Sequence, residues 1–360
     1  MADYAIYAGG LIAGSPNTPS NSIDVFKTNS TGIERVENSV TLSGTGYYAG
    51  TASCNGYFLV LGGGNTSSVY NTVDVFKINN GALERVPDHG LALTTARYEL
   101  AAVTLGDYVI AAGGRTASGS TSSSSYTNAI DIFKVNGDGT FTHITDHGLT
   151  LSRARTRIAF AVCGNYAFFI GGEYASQSSS ITYANNIDIF KLTANGISQI
   201  TSHGLTLGRT GRGRLAAVGC GDYVLAAGGI SYSMNNYTWS NVVNIFKVNS
   251  DGTFSTEARL YLSEGRSNLA AASCGNYVFF MGGASSTNYT AYNTVDVYQV
   301  TEDNIAFVAE HGLELSEARY NLSTITLENK YILAAGGETS INGSSFTSNN
   351  TIDVFQVKTN

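Results

Sequence analysis

Tyr223-Val-Leu-Ala-Ala-Gly-Gly229 is the stretch that decides how this chain of 360 residues is read. The same tyrosine, apolar run and closing glycine pair return at Tyr4–Gly10, Tyr57–Gly63, Tyr108–Gly114, Tyr166–Gly172, Tyr277–Gly283 and Tyr331–Gly337. Self-similarity at a period of roughly 50 residues marks units that stack into one body. The reading is therefore one domain over 1–360, with units near 1–46, 47–97, 98–155, 156–212, 213–266, 267–319 and 320–360.

A second signature follows each glycine pair after a polar loop of variable length. It reads Ile23-Asp-Val-Phe-Lys27, Val73-Asp-Val-Phe-Lys77, Ile130-Asp-Ile-Phe-Lys134, Ile187-Asp-Ile-Phe-Lys191, Val243-Asn-Ile-Phe-Lys247, Val295-Asp-Val-Tyr-Gln299 and Ile352-Asp-Val-Phe-Gln356. β-Branched residues with period-2 alternation make this a strand. Tight turns such as Asn136-Gly-Asp-Gly139 lead to a third segment, of which Leu83-Glu-Arg-Val86 is one copy, because Asn and Gly supply positive φ cheaply. Then come His-Gly-Leu (His89, His147, His203, His311) and an arginine (Arg97, Arg155, Arg212, Arg266, Arg319). A short strand of small residues, as in Leu215-Ala-Ala-Val218, returns to the next tyrosine.

Each unit thus holds four short antiparallel strands, A (after the Arg), B (ending in Gly-Gly), C (Asp-Val-Phe) and D, which is the make-up of a propeller blade. These features resemble kelch repeats along the whole chain. The resemblance implies an all-β, kelch-type β-propeller of seven four-stranded blades. One departure is the strand-D tryptophan, whose place is taken by Ile33, Leu83, Phe141, Ile197, Phe254 and Ile305; a smaller wedge between blades is expected. Strands B and C occur seven times but A and D six, so five complete blades, two of three strands and an irregular seam are expected.

Composition narrows function. Net charge is −7 with 13% charged residues, which argues against nucleic acid, since phosphate binding needs a basic footprint. No apolar run has the ~18–20 residues of a membrane helix, and the first residues show no secretory pattern. Localisation stays open among cytoplasm, cell surface and virion. Cys54, Cys163, Cys220 and Cys274 each stand three residues before a repeat tyrosine, a slot that Leu105 also fills; they read as buried free thiols. The histidines are periodic apart from His143, so no metal site and no cofactor are expected.

A meander places the B–C and D–A loops on one face. The B–C loops (11–22, 64–72, 115–129, 173–186, 230–242, 284–294 and 338–351) are rich in Ser, Thr, Asn, Gly and Tyr and hold the chain's one Trp. Rigid aromatics among adaptable polar residues suit recognition. The candidate ligand-binding residues are Tyr126, Tyr174, Tyr183, Tyr232, Tyr237, Trp239, Tyr289 and Tyr292, with Arg153, Arg157, Arg209 and Arg214, which stand outside the arginine repeat and suggest a local basic patch. The repeating arginines read as structural, pairing with the strand-C aspartates or capping backbone carbonyls; a ring gripping an acidic ligand is the alternative. The expected function is non-enzymatic binding of a protein or glycan. The resemblance also admits a carbohydrate-active enzyme (oxidase or sugar epimerase) and a structural virion component, and it points to exposure on a phage or bacterial surface. Self-association through the incomplete terminal blades is a further expectation.

Overall fold

A computed structural model describes residues 3–12, 18–120, 122–176, 180–233, 235–285, 290–302, 304–341 and 345–358. Seven antiparallel sheets follow one another along the chain and form the blades of a β-propeller. Blade 2 is typical, with Gly50–Cys54, Tyr57–Leu61, Val73–Asn79 and Ala82–Arg85 side by side from the axis outward. The inner strands Gly50–Cys54, Ala101–Leu105, Ala159–Cys163, Ala216–Cys220, Ala270–Cys274 and Ser323–Leu327 pack each against the next around the ring.

The strand sequences explain this stacking. A blade inside the ring is covered on both faces, so strands B and C are apolar at nearly every position, and their period-2 geometry sends alternate residues to opposite neighbours. In blade 4, Phe168, Ile170 and Ile189 join Val224, Ala226 and Phe246 of blade 5. Ala167, Phe169 and Phe190 turn the other way, to Ile110 and Ile132 of blade 3. Where strand D does carry an aromatic, it wedges against a neighbouring blade: Phe141 meets Tyr57 edge-on at 5.0 Å, and Phe254 meets Tyr166 at 5.2 Å. The four cysteines are buried and free. Three staple neighbouring blades, the thiols of Cys54, Cys163 and Cys220 donating to the carbonyls of Gly106, Gly221 and Gly275.

The glycine pair and the arginine turn out to be one joint. Gly229 N–H donates to the Arg266 carbonyl at 2.9 Å. A Cβ on Gly228, whose φ is +69°, would lie 2.5 Å from that same oxygen. The pair therefore serves both a left-handed backbone and a close approach. Gly63, Gly114, Gly172 and Gly283 repeat the bond to Arg97, Arg155, Arg212 and Arg319. The arginine side chains then turn inward. Arg97, Arg155, Arg266 and Arg319 are 0% exposed and lie 2.5–2.6 Å from Asp131, Asp188, Asp296 and Asp353. The repeating arginines are scaffold, and no ring of them lines the axis.

The seam is irregular as expected. Blade 1 consists of Tyr4–Ala8, Ile23–Asn29 and Gly32–Val36, and blade 7 of Ser323–Leu327, Tyr331–Ala335 and Ile352–Gln356. The two meet through side chains rather than a shared sheet. Ala5 and Phe26 pack on Leu327, Tyr331 and Leu333. Tyr7 Oη donates to the Leu333 carbonyl at 3.0 Å, Thr28 Oγ1 to Glu328 Oε1 at 2.6 Å, and Glu328 N–H to Asp3 Oδ2 at 2.9 Å.

Candidate functional site at the axial mouth

Two residues beyond each arginine the chain turns left-handed before strand A begins. The residues there are Glu99, Arg157, Arg214, Asn268 and Asn321, joined by Tyr48 where Gly46 replaces the arginine, and all have φ between +49° and +56°. They form a collar. Glu99 N–H donates to Tyr48 O at 2.8 Å, Arg157 N–H to Glu99 O at 3.2 Å, Asn268 N–H to Arg214 O at 2.8 Å and Asn321 N–H to Asn268 O at 2.9 Å. Asn tolerates this conformation, whereas Tyr, Glu and Arg hold it at a cost of order 1–3 kcal/mol, and such strain clusters at functional sites. The residue just after each arginine bridges to the residue just after a glycine pair, as in Tyr98 with Arg115 and Thr156 with Glu173. The D–A and B–C connections therefore meet on one face around the axis.

On blades 3–5 this collar carries a charge network. Glu99 (6% exposed) accepts from Arg157 Nε at 2.9 Å and Nη2 at 2.6 Å and lies 3.7 Å from Arg115. Glu173 (2% exposed) accepts from Arg214 Nε at 2.5 Å and lies 3.9 Å from Arg157. Arg157 thus sits between two buried carboxylates. Burial alone would work against its charge, but Glu99 and Glu173 outweigh that and raise its pKa. Aromatic rings surround the network: Arg115 stacks on Tyr98 and Tyr126 at 5.6 and 5.3 Å, and Arg157 on Tyr48 at 5.8 Å. Burial pushes the Tyr48 phenol up to about 12, with Arg157 pulling it down and Glu338 and Glu99 pushing further up.

Four of the B–C connections, expected as irregular loops, contain β-ribbons: Glu173–Ala175 with Ile181–Tyr183, Ile230–Ser233 with Asn236–Trp239, Ala284–Ser285 with Thr290–Ala291, and Glu338–Ile341 with Ser345–Ser348. Alternating β-branched or aromatic residues between polar ones made them strand-competent, a pattern hidden by their high Ser and Asn content. In the blade-5 ribbon Ile230 pairs with Trp239 and Tyr232 with Tyr237, so all four share one face. Exposure climbs that face, from Ile230 at 7% to Tyr237 at 44% and Tyr232 at 46%, and the two tyrosine rings lie 4.8 Å apart.

The candidate residues divide into groups. Tyr126, Tyr183, Arg157 and Arg214 gather around Glu99 and Glu173, with Tyr237 close enough to Tyr183 to act on its phenol, which burial raises. Tyr126 and Tyr183 are buried, so they support the face rather than offering contact area. Arg157 and Arg214 are ion-paired and so form no free basic patch. They also occupy a repeating collar slot; only their residue type is unusual. Arg153 is exposed and stacks on Tyr174 at 4.2 Å, apart from the network. Arg209 is exposed on the connection into blade 5. Tyr292 bonds Ser285 Oγ at 2.5 Å on blade 6, and Tyr289 lies outside the described residues. Sequence reasoning passed over Tyr48, Glu99, Arg115 and Glu173. Aligning the slots two past the arginine and one past the glycine pair would have found them.

Among the described residues no group of three His, Cys, Asp or Glu side chains is placed to hold a metal. Among the same residues no helix is long and apolar enough to cross a membrane. A concavity of about 460 Å³ beside blade 4 is lined by Asp188, His203 and neighbouring residues of the repeat, away from the collar.

The ring has counterparts among solved structures. One, titled "Structure of YjhT", superposes with a TM-score of 0.58 over 80% of this chain and 91% of that one, at 12% identity. The shared property is the propeller fold. No family model matches the chain, and no curated protein matches its sequence.

Proposed function

We propose that this chain is a non-enzymatic recognition propeller that binds a protein or glycan ligand through the collar and its ribbons. The observation that carries the reading is the exposed Tyr232–Tyr237 pair, raised on a paired ribbon beside a polar mouth. Exposed rings held by backbone pairing offer contact area at low entropic cost, and flat aromatic faces suit sugar rings as well as side chains. The charge network favours binding over turnover. One oxygen of each of Glu99 and Glu173 is held by a guanidinium group, which suits carboxylates that fix the shape of the mouth. Kelch-type ancestry, and a setting on a virion or cell surface, rest on the repeat resemblance.

The test is a glycan array probed with the wild type and with the double variant Tyr232→Ala/Tyr237→Ala. Binding should weaken at least about tenfold, a loss of ~1.4 kcal/mol, while thermal unfolding stays put because both side chains are exposed. Undiminished binding by the variant would move the site elsewhere. A blank array would direct the search to protein partners, and turnover of a sugar would replace the reading with an enzymatic one.

A further inference from the structure

Blade 5 departs from the repeat in three places that lie together. The aspartate of strand C is replaced by Asn244. The His-Gly that precedes Leu91, Leu149, Leu205 and Leu313 is replaced by Ala258-Arg259 before Leu260. The connection into the blade is also longer: Leu207 to Arg212 spans five positions, where Leu93 to Arg97, Leu151 to Arg155, Leu262 to Arg266 and Leu315 to Arg319 span four. In blades 3, 4, 6 and 7 the aspartate accepts an N–H from Thr94, Ser152, Ser263 or Ser316 at 2.9–3.2 Å besides holding its arginine. In blade 5 that slot is Gly208, whose N–H turns to Thr206 Oγ1 at 3.4 Å. Arg259 reaches across to the same place, so that a Cβ on Gly208 would stand 3.1 Å from its Nη2. Arg209 follows Gly208 directly and is exposed. Relative to the repeat, the blade has lost one carboxylate beside Arg212 and gained one guanidinium. Neither Arg209 nor Arg259 has an ion-pair partner among the described residues. The carboxylates nearest in sequence are taken elsewhere: Glu257 accepts from Ser255 Oγ at 2.8 Å and Glu264 from Thr294 Oγ1 at 2.6 Å. Positive charge gathered without a counterion is costly, and an anion joining it removes that cost.

We propose that this part of blade 5 is an anion subsite for the carboxylate or sulfate group of an acidic glycan, which deepens and rests on the glycan form of the recognition reading above. Arg259 and Arg209, both exposed, meet the anion, and the buried Arg212 adds its uncompensated charge from beneath. Guanidinium groups present paired N–H donors that match the oxygens of either acid. Tyr261 stands two residues past Arg259, is 58% exposed and pairs with Val242. Ala92, Thr150 and Glu314 hold its slot in other blades. Val242 follows Trp239 by three residues, so this pairing lies at the foot of the ribbon that carries Tyr232 and Tyr237. Arg212 Nη1 donates to Ser240 Oγ at 3.2 Å and to Val242 O at 2.9 Å at the same foot. One blade thus presents exposed tyrosine rings next to unpaired arginines. A sugar chain uses both, its rings on the tyrosines and its acid on the guanidinium groups, whereas an acidic peptide would engage the arginines alone.

The test is an array of uronate oligosaccharides, sulfated galactose oligosaccharides and uncharged galactose oligosaccharides, probed with the wild type, Arg259→Gln and Asn244→Asp. The wild type should bind an acidic sugar about tenfold more tightly than the uncharged ones, and salt should shrink that preference. A preference for uronates assigns a carboxylate and one for sulfated sugars a sulfate; either supports the subsite. Arg259→Gln should remove most of the preference, because a charge-assisted contact is lost. Asn244→Asp should weaken acid binding severalfold without lowering the melting temperature, because it gives Arg212 a counterion. Equal binding of acidic and uncharged sugars overturns the subsite while glycan recognition stands. A preference undiminished in both variants overturns it as well. A hexaglutamate peptide bound as tightly as the acidic sugars overturns it in favour of an acidic polypeptide. Binding of no sugar overturns it together with the glycan reading on which it rests.

Discussion

The arginine–aspartate pair recurs as a buried ion pair in blades 3, 4, 6 and 7, and blade 5 keeps the arginine but not the aspartate. Arg212 is 5% exposed and faces Asn244, 1% exposed, which accepts from its Nη2 but brings no charge. Burial, with Arg259 adding repulsion, pushes the Arg212 guanidinium down to about 10. A buried charge without a counterion is costly, whereas a hydrogen-bonded pair in good geometry recovers much of that cost. Asn244→Asp should therefore stabilise the ring by ~1 kcal/mol, raising the melting temperature by roughly 1–2 °C. A lowered melting temperature would show that the pairs in the other blades are not a source of stability. The pair was partly legible in the sequence. The arginine and the aspartate were both visible as periodic, but that each arginine turns to the C strand of its own blade follows from packing.

The His-Gly-Leu segments form a repeated element. His89, His147, His203 and His311 each accept the N–H two residues on through Nδ1, at 2.9–3.1 Å. Blade 1 builds the same turn with Asn38, whose Oδ1 accepts from Val40 N–H at 3.1 Å and whose Nδ2 donates to Ile23 O at 2.9 Å. Burial lowers the pKa of His89 and of His203. The folded state therefore prefers the neutral ring, and protonation removes the acceptor. This stability is complete above the ordinary histidine range and is lost as pH falls through it towards the depressed folded values. His89→Asn combined with His203→Asn should match the wild type at pH 7.5. It should lose about 0.5–1 kcal/mol less per site by pH 5.5 in chemical denaturation. Parallel pH profiles for the two proteins would refute this role.

At the scale of the molecule, the seam is the junction at which both blades have three strands among the described residues. Its closure rests on the Tyr7, Thr28, Glu328 and Asp3 bonds and a small apolar cluster. Stability is distributed unevenly in proteins, and regions with fewer buried contacts open first. Amides of Tyr4–Ala8 and Ser323–Leu327 should exchange faster than those of Ala216–Cys220, and Tyr7→Phe with Glu328→Gln should widen the gap without altering the middle blades. Uniform exchange around the ring would show that the seam is as firm as the other junctions. The repeat was readable from sequence because each blade reuses the same local chemistry: a strand apolar on both faces, a glycine pair for a left-handed exit, and a turn of Asn and Gly. Those features act over a few residues, and counting them was enough for seven blades with two short of a strand. The mouth was not readable in the same way. Glu99, Arg157, Glu173 and Arg214 are 58, 16 and 41 positions apart in successive pairs, and each looks like an isolated charge in its own unit. Closing the ring brings their slots together, and that proximity turns four separate side chains into one network. Local pattern set the scaffold, and the circular stacking of the blades decided which charges meet.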